Sequence, residues 1–256
     1  MINSYEYPLN LLDPIEIDQP LISNPLGDYI QNGDIITKLD TEETSLNLLL
    51  AISSSLTIAG AGFPPAALLT IAGAVGVERA LEYKIIIQRL RSITAMLLDK
   101  FNDEIEITLR VKINTSLIDL LIRMPDKRPF ALLLRSNGDS AVRWREDKQQ
   151  FFVYKVGKTA SKWNAMTRTA ENLKSTFYLK DLKSPLLGTS RTDRNRTIVK
   201  AVVLCNKTTI YRDHAPEYWV NFGRIQNRKV LKVYKDLLFY VVEQENLINF
   251  LLSPEK

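Results

Sequence analysis

The pattern of apolar and polar positions begins with a long run that carries no charge. Residues 45–77, SLNLLLAISSSLTIAGAGFPPAALLTIAGAVGV, hold no Asp, Glu, Lys or Arg. The run is long enough to cross a bilayer once. Because Pro64 and Pro65 interrupt it, two apolar helical arms joined at the prolines fit better than a single span. We expect a helical hairpin that either anchors the chain in a membrane or packs against protein.

A helical period follows the uncharged run and then changes to the period of a strand. Residues 78–103 place apolar side chains at spacings of three and four, which predicts a helix. From residue 105 the apolar positions alternate with Glu, Thr, Arg and Lys, which predicts a half-buried strand. The alternating apolar residues are Ile105, Ile107, Leu109, Val111 and Ile113.

The remaining pattern predicts further strands with helices between them. Strands are expected at LIDLLIR, FALLLRS, TIVKAVVLCN, VLKVYK and LLFYVV, and a hairpin at AVRWRED and QQFFVYKVG. Helices are expected over 160–182 and in the terminal ENLINFLLS. Strands that are adjacent in places and separated by a helix in others indicate a mixed α/β (α+β) fold, with a central mixed sheet flanked by helices.

Charge divides the chain into an acidic and a basic part. Residues 1–99 hold 5 Lys and Arg against 12 Asp and Glu, whereas residues 100–256 hold 29 against 17. Within the acidic part, residues 1–44 contain four prolines and predict an extended, poorly structured arm. The basic part suits an anionic partner, either nucleic acid or an anionic membrane surface, or it is a solvated surface without a partner.

The chain has one cysteine, Cys205, and one histidine, His214. A single cysteine excludes an internal disulfide and fits a reducing compartment, and the N-terminus lacks the basic start of a signal peptide. We therefore expect a cytoplasmic location, or the cytoplasmic side of a membrane. One histidine also excludes a His-rich metal site. We interpret His214 as a surface or capping residue and Cys205 as a small buried apolar residue.

One stretch has the strand arrangement, but only one of the side chains, that metal-dependent cleavage of a phosphodiester requires. Such cleavage needs carboxylates that hold Mg²⁺, with a Lys that orients the attacking water. Two adjacent strands can supply them if one carries an Asp and the next carries an acid and, two residues later, a Lys on the same side. Here Asp119 lies in the first of two such strands, and positions 133 and 135 lie in the second.

The stretch SLIDLLIRMPDKRPFALLLRSNGDSAVRW resembles the nuclease-related domain, a branch of the PD-(D/E)XK restriction-endonuclease-like superfamily. Asp119 matches the Asp of that family, Leu133 stands where its acid is, and Arg135 stands where its Lys is. Gly138 and Trp144 fit the turn and hairpin that follow. The resemblance implies a restriction-endonuclease-like fold over residues 78–256, preceded by the apolar helical hairpin.

The departures from the family pattern imply a vestigial site. Leucine cannot bind a metal, and arginine does not lose its proton near neutral pH. Asp119 alone is a weak Mg²⁺ site, so we expect no metal, no cofactor and no catalysis. An active Mg²⁺-dependent nuclease remains an alternative if an acid has relocated from Glu104, Glu106 or Glu146.

Without its acid, the domain keeps a basic face that can bind phosphates. The candidate nucleic-acid-binding residues are Arg135, Arg143, Arg145, Lys155, Lys158, Arg191, Arg194 and Arg196. The sequence thus predicts a membrane-associated, catalytically inactive nuclease-like protein that binds nucleic acid or a protein partner. The alternative is an assembly subunit, or a homo-oligomer, that uses the apolar hairpin as its contact.

Overall fold

The computed structural model describes residues 32–61, 67–113, 116–155, 157–179, 187–188, 190–222, 225–235 and 237–253. The chain divides into two compact units. Among the described residues, 32–102 form one unit and 103–253 form the other.

The first unit consists of two long helices, α1 (Asn32–Ala61) and α2 (Ala67–Phe101). Polar pairs link the two helices along their length. The helices are antiparallel, because the residue numbers of these pairs rise along one helix as they fall along the other. These pairs are Arg91 with Asp40, Gln88 with Glu43, and Lys84 with Asn47. Near the uncharged end the helices approach closely, since a Cβ on Gly76 would lie 2.6 Å from Ser53 Oγ.

The helices extend further than the sequence pattern predicts. α1 begins at Asn32, so residues 32–44 of the predicted acidic arm are helical, and residues 1–31 lie outside the described ranges. Ile35 and Leu39 give this segment a buried side, and all four prolines of the arm precede it. α2 runs without a break through residue 77, so the second apolar arm and the helix predicted from residue 78 form one helix.

The uncharged run therefore occupies only part of each helix. Within the described ranges, the structure contains no helix with the length and apolar character that crossing a membrane requires.

The second unit contains two mixed β-sheets with helices packed on them. Its strands are β1 (Glu106–Ile113), β2 (Ser116–Arg123), β3 (Pro129–Arg135), β4 (Ser140–Arg145), β5 (Gln150–Tyr154), β6 (Ser161–Lys162), β7 (Val199–Leu204), β8 (Thr208–Ile210), β9 (Trp219–Phe222), β10 (Ile225–Lys235) and β11 (Leu237–Glu243). Its helices are α3 (Asn164–Lys174), α4 (Arg191–Arg194) and α5 (Leu247–Leu252).

The larger sheet has seven strands in the order β1-β2-β3-β7-β11-β10-β9. β1, β2 and β3 form an antiparallel meander, whereas β3, β7 and β11 run parallel to one another. All six residues of β7 are buried, as its apolar sequence requires of a central strand. The carboxyl ends of β3, β7 and β11 meet in register at Arg135, Leu204 and Glu243.

Helices cover both faces of the central strands. On one face, Phe250 of α5 packs against Phe130 and Tyr240. On the other face, α3 buries Met166 and Leu173 in a cluster with residues of β3, β7 and β11. This second face also holds positions 133 and 135, because side chains alternate across a strand.

The smaller sheet has four strands in the order β6-β5-β4-β8. Its inner face carries Trp144 and Phe151, whose rings lie 4.9 Å apart in the same core. A turn at Gly138, where φ is +63°, leads into it from β3. Thr208 fixes the turn, since its hydroxyl accepts from Asn137 N and donates to the Gly138 carbonyl.

The mixed α/β class with flanking helices is confirmed, but the second sheet is not what the pattern predicts. The hairpin of β4 and β5 pairs with β8, a three-residue strand that lies about 60 residues away along the chain. Residues 191–194, for which the pattern predicts no helix, form the short helix α4. The helix predicted over 160–182 begins at Asn164 and continues after Lys174 as a 3₁₀ helix to Leu179.

Candidate functional site

Asp119 and Arg135, the residues predicted at the vestigial nuclease site, form a buried ion pair. Arg135 Nη1 lies 2.9 Å from Asp119 Oδ2, and the two residues are 3% and 2% exposed. The same carboxylate oxygen accepts a hydrogen bond from Leu134 N at 2.7 Å. Arg135 Nε donates to the hydroxyl of Thr169, a fully buried residue of α3. The charges are therefore neutralised beneath α3 and do not face solvent.

This geometry has two consequences for the predicted site. Leu133, at the position where the resemblance to the nuclease-related domain expects an acid, is fully buried in the core beside Ala131 and Val202. Arg135 was predicted to bind nucleic acid, and that prediction does not fit its position, because its guanidinium is held by Asp119 and Thr169. A phosphate could reach it only if α3 moved away from the sheet.

The acids that could have relocated lie apart from Asp119. Glu106 stands at the start of β1, opposite Arg123, with both its oxygens 3.2 Å from Arg123 Nη1. Glu104 and Glu146 are exposed in separate 3₁₀ turns. Among the described residues, no group of three or more His, Cys, Asp or Glu side chains is arranged to hold a metal ion.

The outer face of the four-stranded sheet is the second candidate site. Alternation along β4 directs Arg143 and Arg145 away from the core, while Trp144 between them is buried. Register then aligns Phe152 opposite Arg143 and Lys162 opposite Phe152. We call this surface the outer sheet face, and we define it by Arg143, Arg145, Lys148, Phe152, Tyr154, Lys162 and Tyr211.

Cations and aromatic rings lie against one another on the outer sheet face. The Arg145 guanidinium and the Lys148 ammonium lie 5.2 and 5.3 Å from the centre of the Phe152 ring. Arg143 lies 5.3 Å from the centre of the Tyr211 ring. Such cation–π contacts hold the charged groups against the aromatic rings. The N–H groups of these cations can still donate hydrogen bonds to a ligand.

The outer sheet face keeps an excess of positive charge. Arg145 forms an ion pair with Asp147 at 2.7 Å, and their side-chain hydrogen bond lowers the pKa of the Asp147 carboxyl and raises that of the guanidinium. Among the residues the structure describes, no carboxylate pairs with Arg143, Lys148 or Lys162. Three cations of this face thus remain for an anionic ligand.

His214 supports the outer sheet face from behind. Its Nε2 accepts a hydrogen bond from Trp144 N at 2.9 Å, and its Nδ1 lies 2.5 Å from the Tyr211 carbonyl. Nδ1 must therefore carry the proton and the ring is neutral. Burial lowers the pKa of His214, and nearby Arg143 adds to this, against the hydrogen bond to Tyr211 and the charge of Asp213. The histidine is buried and links β4 to the segment after β8, so it is a structural clamp and not a surface residue.

The second predicted basic group lies elsewhere on the unit. Arg191 and Arg194 belong to α4, and Arg196 donates to the Asp126 carbonyl in the turn between β2 and β3. That end of the sheet is separated from the outer sheet face by the length of β7, about 20 Å. The two basic groups predicted from the sequence therefore do not form one site. Lys155 and Lys158 are exposed and directly follow β5.

A buried aspartate organises this second basic group. The Asp193 carboxylate lies 3.3 Å from Arg123 Nη2 and 3.6 Å from both Lys127 Nζ and Arg196 Nε. Its pKa is lowered, first by the Ser190 hydroxyl and then by these cations. Because Asp193 already engages Arg123, Lys127 and Arg196, this end of the sheet is a weaker candidate for a ligand than the outer sheet face.

Sequence reasoning missed the aromatic members of the site. Phe152 and Tyr154 alternate with the buried Phe151 and Val153, a signal in QFFVY that could have assigned them to the solvent side. Tyr211 carries no such signal, because only the pairing of β8 with β4 brings it to this sheet. Comparisons of the chain with models of protein families, with curated proteins and with solved structures found no match.

Proposed function

We propose that this protein binds nucleic acid through the outer sheet face and does not cleave it. The observation that carries the proposal is the juxtaposition of cations and aromatic rings on one exposed face. Cations bind the phosphates of a nucleic acid whatever its base sequence. Aromatic rings add stacking contacts with bases, which a simple anion lacks. The buried ion pair of Asp119 and Arg135 supports the absence of cleavage.

We further propose that the second unit is a degenerate restriction-endonuclease-like domain. Its order of elements supports this: an Asp-bearing strand, the neighbouring strand, a hairpin with Trp144, helix α3, the central strand β7, and a closing strand and helix. On this proposal, the pair of Asp119 and Arg135 occupies the position of the ancestral metal site. The chain is then a binding protein that needs no Mg²⁺.

Binding and cleavage of labelled DNA and RNA by the full chain test the proposal. The expected result is salt-dependent binding without cleavage in Mg²⁺ or Mn²⁺. The variant Arg143→Gln/Lys148→Gln should bind more weakly, with its salt slope reduced by about 1 for each lost phosphate contact. The matched control Arg191→Gln/Arg194→Gln removes two charges at the distant end and should bind as the wild type does.

Three results would contradict this proposal. Cleavage by the wild type that requires Mg²⁺ or Mn²⁺ and is abolished by EDTA would revive the Mg²⁺-dependent nuclease. Equal losses in the two double variants would show that net charge alone causes binding. Binding to phosphatidylserine vesicles without any binding to nucleic acid would assign the basic face to an anionic surface.

A second candidate function concerns the helical unit. Leu48 and Ile52 on α1 and Leu81 and Ile85 on α2 are large apolar side chains left exposed at helical spacings. We propose that they contact a protein partner or a second copy of this chain. Sedimentation of Leu48→Ser/Ile52→Ser against the wild type tests it, since loss of a larger species is expected and an unchanged monomer would refute self-association.

Association with a membrane through residues 45–77 stays a prediction of the same unit. The absence of charge over this run supports it. Flotation of the full chain with vesicles tests it. Recovery of all protein in the bottom fraction, apart from the vesicles, would refute it.

A further inference from the structure

We propose that the ligand of the outer sheet face is single-stranded nucleic acid, whose bases stack on Phe152 and on Tyr154. This inference rests on the proposed function and names the class of ligand that the same face selects. Three features of the face carry it: the position of the rings, their absence from the core, and the cations beside them. A property of nucleic acid completes the argument, because the bases of a duplex are inaccessible to the rings.

The rings form a row across the face. Phe152 and Tyr154 are two residues apart on β5, so they lie on the same side about 7 Å apart. Tyr211 continues the row, since its ring stacks on Tyr154 with centroids 5.0 Å apart and planes 25° apart. Opposite Tyr154 on β4 stands Ala141, whose small side chain leaves the tyrosine unobstructed from that strand.

These rings are not needed to build the core. Trp144 and Phe151 already supply aromatic packing on the inner face, where Phe151 also contacts Phe239. Phe152 and Tyr154 are partly exposed on the other side of the same strands. Partly exposed aromatic rings on a cationic sheet face are the arrangement on which proteins stack the bases of a single strand.

The cations lie where the backbone of a stacked strand would pass. Three charged groups each lie 5.2 or 5.3 Å from the centre of a ring of the row, namely those of Arg143, Arg145 and Lys148. A base over a ring therefore brings its phosphate within reach of a guanidinium or an ammonium group. Lys162, opposite Phe152 on β6, extends the charge to the edge of the sheet.

A duplex cannot use the rings. Its base faces are stacked inside the helix, so that a flat protein surface meets only sugars and phosphates. The cations would bind both forms, whereas the rings would bind only unpaired bases. The rings should therefore decide the preference between single and double strands.

The test compares three labelled ligands on the full chain: an oligothymidylate of about 20 nucleotides, an abasic strand of the same length, and a blunt-ended duplex. The variant Phe152→Leu/Tyr154→Leu keeps an apolar surface and removes two rings. Its affinity for oligothymidylate should fall on the order of tenfold or more, while its affinities for the abasic strand and the duplex should not change.

Two further variants control for folding and for the loss of any aromatic group. Phe152→Tyr/Tyr154→Phe keeps both rings and should recover most of the affinity for oligothymidylate that the leucine variant loses. Tyr234→Leu removes a more exposed tyrosine from β10 and should also leave binding unchanged. Thermal unfolding of each variant verifies that it folds.

The outcomes separate this inference from the proposed function. Wild-type binding that is equal for all three ligands and insensitive to Phe152→Leu/Tyr154→Leu would overturn the inference and leave a phosphate-binding face in place. No binding of any ligand by the wild type would overturn both. A selective loss of oligothymidylate binding in the ring variant alone would establish stacking.

Discussion

Arg135 Nη1 lies 2.9 Å from Asp119 Oδ2, and neither residue is more than 3% exposed. Asp119 stands where the nuclease-related pattern has a metal ligand, and Arg135 stands where it has a lysine. In this protein they neutralise each other beneath α3. On the proposed relationship to nuclease-related domains, the position expected to bind Mg²⁺ and substrate is thus part of the interior.

Removal of one member of this pair should strongly destabilise the protein. Asp119→Asn leaves the Arg135 guanidinium buried without its carboxylate, and the expected loss in the free energy of unfolding is about 3–5 kcal/mol. Urea denaturation measures it. Asp40→Asn breaks the half-exposed pair with Arg91 and should cost about 0–1 kcal/mol.

Replacement of both members tests whether the pair itself stabilises the fold. Asp119→Leu/Arg135→Met removes both buried charges, and it should be far less harmful than Asp119→Asn alone. If the double variant were the less stable of the two, the ion pair would contribute net stability through its hydrogen bonds to Leu134 N and Thr169.

Introduction of the acid and the lysine of the nuclease-related pattern should not create a metal site. Leu133→Asp/Arg135→Lys places a carboxylate where Leu133 is fully buried, so the free energy of unfolding should fall by more than about 2 kcal/mol. Thermal unfolding with and without Mg²⁺ measures this, with Leu133→Met as the volume-conserving control. A rise in melting temperature on addition of Mg²⁺ would show that the site still accepts a metal.

Protonation of His214 should weaken the fold at mildly acidic pH. The pKa of His214 in the folded state lies below its ordinary value of 6.5, so as the pH falls below that value the unfolded state takes up a proton that the folded state resists. Stability is unaffected above pH 6.5 and declines below it, by at most about 1.4 kcal/mol per pH unit for one proton.

His214→Gln provides the control, because its amide can accept from Trp144 N and donate to the Tyr211 carbonyl without titrating. Denaturation between about pH 8 and pH 5 should show a steeper decline in the wild type than in this variant. Since the chain has one histidine, its NMR titration reports the pKa directly. A pKa at or above 6.5 would contradict the clamp.

Gly188 should tolerate a side chain less well than Gly138. Both have positive φ, +97° and +63°, so alanine costs about 1 kcal/mol at either position through the backbone. At Gly188 the added Cβ would also lie 2.8 Å from Asp193 Cβ and 2.9 Å from Arg123 Nη2, whereas nothing lies within 4 Å at Gly138. Chemical denaturation should therefore rank Gly188→Ala as the less stable variant, and equal stabilities would contradict the packing around Asp193.

The sequence by itself determined most of the local structure of the second unit. Alternation predicted β1, and residues 199–204, which are apolar apart from Lys200, predicted a central strand. The reason is that burial on one or both faces dictates which positions can be polar. The same alternation separated Arg143 and Arg145 from Trp144. Residues 78–101 form the helix that their period predicts, because one side of that helix is buried.

Only the tertiary structure decided what the charged residues do. The sequence spacing that drew Asp119 and Arg135 into one hypothesis does not reveal that Thr169 of α3 completes their hydrogen bonds and seals them from water. The pairing of β8 with β4 joins segments about 60 residues apart, and it alone brings Tyr211 to Arg143 and Tyr154. Periodicity encodes which side of an element is buried, whereas the partner that buries it depends on long-range packing.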